Sequence, residues 1–466
     1  MSSTAASNDI RRRSFSRRAV EAAIWGIPLV NYEAMLRAAR NAGSDLNQIV
    51  YWASLPSWKN QTLTPNPDSI YLMPFYDTAT AGPIVVEIPP AQGGTITGTL
   101  MDCWQFALED VGPAGLDQGA GGKYLILPPD YDGDVPMGYL PLRSSMYQGY
   151  GLLRSLLKGR AASDVAASVA YGERIRLYPL SEASDPSQMS MVDVSQRVFD
   201  STIPYDIRFF ESLLRMVQSQ PWLERDRAMI DVLRSIGIEK GGPFAPSTEQ
   251  KLLLEQAVEE ARDWLADEYE TSFEPHDPSQ RWFLPGDKKL VEAMASGYAD
   301  PNSYPWSSRG ISYYCAFSSI KHMGAGQFYL FVSRDSDGEE LDGKKTYCLH
   351  VPAHVPVRQY WSVTLYDFDT HAFIRGMDTL SCSSLSSALV TNSDGSVDVL
   401  FGPEAPSGKE SNWVPTSPDG RFEALFRFYA SSARIRWMER SRRSIPRRRT
   451  RWACRRATSS ADRWRT

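Results

Sequence analysis

The residues best suited to chemistry lie in one stretch, Thr64-Pro65-Asn66-Pro67-Asp68-Ser69-Ile70-Tyr71. Each proline confines the residue before it to extended geometry, so a rigid polar loop leading into a strand is predicted. Asn66, Asp68 and Tyr71, together with Trp58, Asp102 and Lys123, compose a candidate pocket at one end of the first sheet. The chemistry expected there is general acid–base work, because a carboxylate against an aromatic wall loses solvation and its pKa rises toward neutrality. On this reading Asp68, Tyr71 and Asp102 are the acid/base and orienting groups, and Trp58, Asn66 and Lys123 contact the substrate. The same residue types also build Asx turns and strand caps, in which the side chains bond only to neighbouring backbone.

Other constellations are weaker. His350 and His354 would face one metal on a helix, but Pro352 and Pro356 put them on a strand end and a loop, so no metal site is expected. His276, His322 and His371 stand alone. Asp335-Ser336-Asp337-Gly338 begins like a calcium loop but lacks the glycine and closing glutamate of an EF-hand, which leaves a hairpin turn. Gly119-Ala120-Gly121-Gly122 leads into a strand rather than a helix N-terminus and cannot cradle phosphate in the usual way. No GxSxG elbow or HExxH is present, and no motif indicates a cofactor. Asn60-Gln61-Thr62 is a glycosylation sequon, relevant only to a secreted chain.

The elements that must position these residues are mainly strands. Tyr360 to Tyr366 alternates aromatic and β-branched residues and reads as a core strand, and Asp394-Gly395 marks a tight hairpin. Strands are also predicted at 84–88, 94–101, 124–127, 328–332, 346–351, 390–391, 397–401 and 424–429. Residues 19–40 approximate a helical stripe bent at Gly26 and Pro28, suited to packing over a sheet, and 145–178 carries a helical-hairpin pattern with Leu152, Leu153, Leu156 and Leu157 on one side. Helical stripes recur at 209–217, 230–236 and, after the capping box Ser247-Thr248-Glu249-Gln250, at 254–265. The predicted organisation is a disordered basic N-terminus (1–18), a β domain with peripheral helices (19–195), a helical connector (196–328), a second β domain (329–429) and an Arg-rich disordered tail (430–466). The fold class is mainly β (α+β): two antiparallel β-sandwich-like domains joined by helices.

Composition narrows the function classes. With 466 residues, 42% of them apolar, the chain is long enough for two cores, and it has no apolar run able to span a bilayer. The net charge of −5 conceals 13 arginines and two acids after residue 429, which leaves the preceding 429 residues at −16. An acidic body repels phosphate backbones, so no nucleic-acid partner is expected. The tail itself reads as a basic arm for anionic partners or as a translated shifted frame. Five widely spaced cysteines (Cys103, Cys315, Cys348, Cys382, Cys454) fit free thiols in a reducing compartment. The run Arg11-Arg12-Arg13-Ser14-Phe15-Ser16-Arg17-Arg18 hints at twin-arginine export, but Glu21 and Asn31 break the apolar segment that should follow, and a cytoplasmic location is expected.

Longer motifs carry a resemblance. Trp25-Gly26-Ile27-Pro28-Leu29-Val30, Asn66-Pro67-Asp68-Ser69-Ile70-Tyr71, Asp102, Gly122-Lys123-Tyr124, Leu153-Arg154 and Tyr178-Pro179-Leu180-Ser181 resemble the DUF1254 domain. Asp337-Gly338, Leu341-Asp342-Gly343, Tyr347, Pro352, Trp361 to Asp367, Asn392 with Asp394-Gly395-Ser396, and Asn412-Trp413-Val414-Pro415 resemble DUF1214, and coverage runs from about residue 19 to 429. The resemblance implies two β-sandwich-type domains, a helical link and self-association as a homo-oligomer, and brings no established reaction. Asp378-Thr379-Leu380-Ser381-Cys382 stands where the family tends to have an Arg-Tyr-Ser run.

The function expected is a small-molecule-processing enzyme, a lyase, isomerase or hydrolase acting on a cyclic or aromatic metabolite in a pocket of the N-terminal β domain. The alternatives are a non-catalytic protein that binds a small molecule or carbohydrate, and an oligomeric interaction protein.

Overall fold

A computed structural model describes residues 3–429, apart from 188, 277–279, 285, 317–319 and 323–326, together with the strand Cys454–Arg456. The first β unit is a sandwich. Its six-stranded sheet runs in the order Met191–Asp193, Gln48–Tyr51, Ser69–Asp77, Gln148–Leu156, Ile96–Asp102, Ala107–Val111, and its four-stranded sheet in the order Arg176–Pro179, Ile84–Ile88, Gly122–Leu127, Tyr139–Arg143. Alternate side chains face each other between the sheets: Ile49, Leu72, Tyr76, Leu100 and Leu153 against Ile84, Val86, Tyr124, Ile126 and Leu177. Most pairings are antiparallel, but Gln48–Tyr51 with Met191–Asp193 and Gly122–Leu127 with Tyr139–Arg143 are parallel.

The second unit repeats the plan. One sheet has the order Gln327–Val332, Phe422–Tyr429, Trp361–Asp367, Ser381–Ser383, and the other Trp413–Pro415, Val397–Gly402, Tyr347–Val351, Cys454–Arg456. Leu330, Val363, Leu365, Ala424, Phe426 and Phe428 close its core against Leu349, Val351, Val399 and Phe401. The Arg-rich tail, expected to be disordered, lies outside the described residues except for Cys454–Arg456, which adds an antiparallel edge strand to Tyr347–Val351.

A third apolar core joins the two sandwiches. It gathers the outward faces of both (Tyr71, Met73, Phe75 and Tyr150 from the first; Phe331, Tyr366 and Leu425 from the second) with Ala19 to Ala42, Phe209, Leu213, Leu254, Val258, Leu265 and Tyr269. Helix Ser3–Asn41 threads through it. As expected, the helix packs over a sheet, Tyr32 meeting Phe75 and Tyr150 on the outer face of the six-stranded sheet, while its other sides meet the connector helices Ile207–Ser219, Arg227–Ser235, Thr248–Thr271 and Trp306–Cys315. It corrects one expectation: it begins at Ser3, so most of the basic N-terminus is helical instead of disordered. Arginine is a good helix former, and ion pairs Arg13–Asp9 (i, i+4) and Arg12–Glu249 support the first turns. Gly310 allows the close approach of the Trp306–Cys315 helix, since a Cβ there would stand 2.8 Å from the Ile24 carbonyl oxygen.

Three further expectations change. Residues 148–156 form a central strand, not the first arm of a helical hairpin, and only Ala162–Gly172 is helical there. Gly149 shows why a strand fits: a Cβ would collide with the Met101 carbonyl and the Tyr76 hydroxyl, each 2.2 Å away. The first unit extends past residue 195, because Phe199–Asp200 pairs with Asn60–Gln61. Residues 390–391 form no strand, although the turn at Asp394-Gly395 is present with Gly395 at φ 81°. The capping box is as predicted: Ser247 Oγ accepts from the Gln250 amide and Gln250 Oε1 from the Ser247 amide. Cys103, Cys315 and Cys382 carry free thiols. Among the described residues no helix is long and apolar enough to cross a membrane.

Candidate functional site between the two β units

The polar loop 64–71 does not open at the mouth of the first sheet. It is buried under the outer face of the second unit's Phe422–Tyr429 sheet. Strand alternation explains what that face offers: Phe422, Ala424, Phe426 and Phe428 point into the sandwich, while Glu423, Leu425, Arg427 and Tyr429 point to the first unit, joined by Thr364 and Tyr366 of the adjacent strand.

Asn66 is the hinge of the contact. Its Nδ2 donates to Tyr429 Oη (2.7 Å), Tyr360 Oη (3.0 Å) and Ser69 Oγ (3.0 Å), and its Oδ1 accepts from the Asp68 amide at 3.0 Å. The Asn66 amide donates to Tyr71 Oη at 2.8 Å. The Asx-turn bonding foreseen as an alternative therefore holds for Asn66, but not for Asp68. Both Asp68 carboxyl oxygens are buried without a hydrogen bond, and the nearest cation is Arg160 at 3.4 Å. Burial raises the Asp68 pKa, with Arg160 and Arg427 opposing.

Two guanidinium groups share this space. Arg427 donates to Thr364 Oγ1 (2.9 Å), to the carbonyls of Thr64 (2.8 Å) and Pro65 (3.3 Å) and to Tyr366 Oη, all of them neutral acceptors. Arg154, opposite Tyr71 in the sheet, lies 5.3 Å from the Tyr71 ring centre, and its Nε has no partner. Among the described residues neither guanidinium is within 4.0 Å of a carboxylate. Tyr329, Tyr360 and Tyr429 complete the wall, the last two stacked at 4.3 Å.

At the far end of the same strand face, Glu423 accepts from His371 Nδ1 at 2.9 Å and from Tyr269 Oη. The Thr64 amide donates to the His371 carbonyl at 2.6 Å, and both residues lie in the left-handed region (φ 36° and 52°). For a β-branched residue such as Thr64 this conformation carries strain, which the surrounding packing must hold.

Two family models match this chain: DUF1254, a protein of unknown function, over residues 46–179, and DUF1214, also a protein of unknown function, over residues 326–433. The chain belongs to this two-domain family. Its fold is similar to that of the VPA0106 protein from Vibrio parahaemolyticus, at 18% identity and a TM-score of 0.57, over 95% of this chain and 100% of that one. A putative uncharacterized protein from Burkholderia cenocepacia matches at 13% identity and a TM-score of 0.42, over 92% and 94% of the two chains. No curated protein matches the chain.

Mapped on these segments, the site is a joint product: Asn66, Asp68, Tyr71 and Arg154 come from the DUF1254 segment, and Tyr360, Thr364, Tyr366, His371, Glu423, Arg427 and Tyr429 from the DUF1214 segment.

Asp102 and Lys123 do not join it. Asp102 pairs with Gly149 and Tyr71 with Arg154 on the strand between them, a separation of five residues, or about 17 Å along the strand. Asp102 instead closes the 102–106 turn, accepting from the Phe106 amide at 3.0 Å. Burial lifts its pKa to about 6, with that amide, Arg225 and Arg309 opposing. Lys123 lies on the four-stranded sheet, 5.7 Å from the Tyr139 ring, with the sandwich core between it and the loop. Trp58 packs on the shared core, and its carbonyl accepts from Gln61 Nε2. Of the remaining motifs, His350 pairs with Asp398 at 2.8 Å.

Sequence reasoning missed Arg154 and Arg427. The signal was there for Arg427: a strand whose alternate positions are Phe, Ala, Phe, Phe on one face and Glu, Leu, Arg, Tyr on the other must cover its charged face with another unit.

Proposed function

We propose that this chain binds a small anionic molecule between its two β units and acts on it by proton transfer, as a lyase, isomerase or hydrolase would. Arg154 and Arg427 hold the anion, and Asp68 is the acid/base group. The observation that carries this reading is the charge balance of the site: a buried guanidinium, Arg427, and a half-buried one, Arg154, whose Nε is buried, both of which stay protonated, no ion pair to either among the described residues, and one carboxyl group, Asp68, whose burial favours its neutral form. Buried charge without a counter-charge is costly, and an anionic ligand supplies one. Bidentate guanidinium geometry favours a carboxylate or phosphate, and the tyrosine walls favour a ring attached to it. Small-molecule metabolism is the setting this chemistry suits.

The test is calorimetric titration of the full chain with benzoate, small aliphatic carboxylates and inorganic phosphate, repeated on Arg427→Gln and Arg154→Gln. Loss of a charge-assisted pair is expected to weaken binding about tenfold or more. Equal affinity in wild type and both variants, or no binding of any anion, overturns the proposal. Asp68→Asn then separates catalysis from binding: it keeps the anion and loses turnover.

A further inference from the structure

The far end of the site carries a group that the anion-binding reading leaves unused. The His371 side chain is 1% exposed, and Nδ1 faces Glu423 at 2.9 Å. Glu423 is an acceptor, so Nδ1 carries the hydrogen, and in the neutral ring Nε2 presents its lone pair. That lone pair is buried and has no partner. A carboxylate that fixes the tautomer and aims the opposite ring nitrogen is the arrangement by which imidazoles are set up to receive a proton or a hydrogen bond.

The surroundings narrow what could bond to Nε2. The imidazole is ringed by Tyr314 (4.5 Å, edge-on), Tyr269 (5.2 Å, edge-on) and Phe368 (5.8 Å). Tyr269 is committed to the other Glu423 oxygen. The walls are flat and aromatic, and rings prefer edge-to-face or offset contact with other rings. His371 adjoins the anion-binding end through the loop, since the Thr64 amide donates to the His371 carbonyl and the Thr64 carbonyl receives Arg427.

We infer that His371, oriented by Glu423, accepts the hydroxyl hydrogen of a ring-bearing ligand, so that phenols are the class this end of the site takes. It deepens the preceding proposal, on which it rests only for placing the ring and the anion in one site. The roles divide by chemistry: Arg154 and Arg427 recognise the charge, and His371 Nε2 recognises the hydroxyl and can take its proton, the imidazolium then being stabilised by Glu423.

The test uses the full chain labelled with 15N-histidine, the His371 signals being assigned by their loss in His371→Gln. In the free protein Nε2 is expected to resonate as an unprotonated nitrogen. Phenol should shift that resonance toward the hydrogen-bonded position, and benzoate should leave it in place. In calorimetry, His371→Gln should weaken phenol binding about five- to tenfold, the worth of one hydrogen bond, with benzoate affinity unchanged. A protonated Nε2 in the free protein, or an Nε2 resonance indifferent to phenol, overturns the inference. Unchanged signals from the other four histidines show that the variant is folded, and should His371→Gln misfold, His371→Asn supplies the assignment. Failure of benzoate to bind counts against the anion site and leaves the phenol result to stand by itself.

Discussion

Replacing Asp102 by Asn gives the most quantitative check on how this chain uses its buried acids. In the folded chain Asp102 titrates at about 6 instead of 3.8, because burial disfavours its charged form. At 1.36 kcal/mol per pH unit, the ionised side chain costs the native state about 3 kcal/mol. The sign follows from the raised value: below 3.8 the group is protonated both folded and unfolded, between 3.8 and 6 only the unfolded chain ionises, and stability falls with rising pH across that window. Above it the loss is complete and constant. Asn cannot ionise, yet its Oδ1 can still accept from the Phe106 amide. Any fixed packing cost of the substitution is the same at every pH. The observable is therefore the difference in unfolding free energy between variant and wild type, measured by urea unfolding at pH 4 and at pH 7.5. It should move by about 2.5 kcal/mol in favour of the variant as pH rises, since at pH 4 the unfolded chain has already ionised in part. A difference that stays constant to within about 0.5 kcal/mol would refute the assignment of Asp102 as a desolvated acid. The variant should also keep benzoate affinity, since Asp102 belongs to the Phe106–Arg225–Arg309 cluster and not to the ligand site.

Three other outcomes are expected. Tyr71→Phe removes the acceptor of the buried Asn66 amide and should cost about 1–3 kcal/mol in urea unfolding; a loss below about 0.3 kcal/mol would mean that water or another group already serves that amide. Gly310→Ala places a Cβ against the Ile24 carbonyl and should destabilise by about 1–3 kcal/mol through forced separation of two helices, read as a lowered Tm; an unchanged Tm would show that the interface has room. Asp68→Asn should flatten part of the stability–pH profile. The raised Asp68 pKa favours the fold at acid pH and loses that advantage as pH climbs through the folded value, so the variant gains on wild type with rising pH; the reverse trend would mean that Arg160 and Arg427 outweigh burial.

Local pattern was enough for much of the fold. Ile84–Ile88 and Trp361–Asp367 announce themselves by apolar and alternating runs, and the Ser247 capping box by its spacing, because each is decided by near neighbours. Gln148–Leu156 misled because Leu152-Leu153 and Leu156-Leu157 imitate helical spacing, while Gly149 and Gly151 hide the period of two. Basic residues 11–18 looked like a tail because their partners, Asp9 apart, are distant in sequence. At the site, Asn66, Asp68 and Tyr71 were legible as a cluster since one loop holds them. Asp102 and Lys123 were joined to it on residue type alone, which carries no information about register. Arg427 and Tyr429 stand more than 350 residues away from Thr64 and Asn66, and only the assembled fold brings them together.

The same long-range contacts explain why the two family segments occur in one chain. The carbonyls of Thr64 and Pro65 receive the Arg427 guanidinium, and the Asn66 amide group is divided between Ser69 of its own unit and Tyr360 and Tyr429 of the other. Separating the units would return these groups to water without loss of hydrogen bonding, but it would also expose Tyr71, Phe331, Tyr366 and Leu425 from the shared core, which is the larger free-energy term. Apolar burial therefore drives the union, and the polar loop fixes its register. What this leaves at the centre, among the described residues, is a pair of guanidiniums with no carboxylate within 4.0 Å, a feature that burial alone would not favour and that the proposed anion would offset.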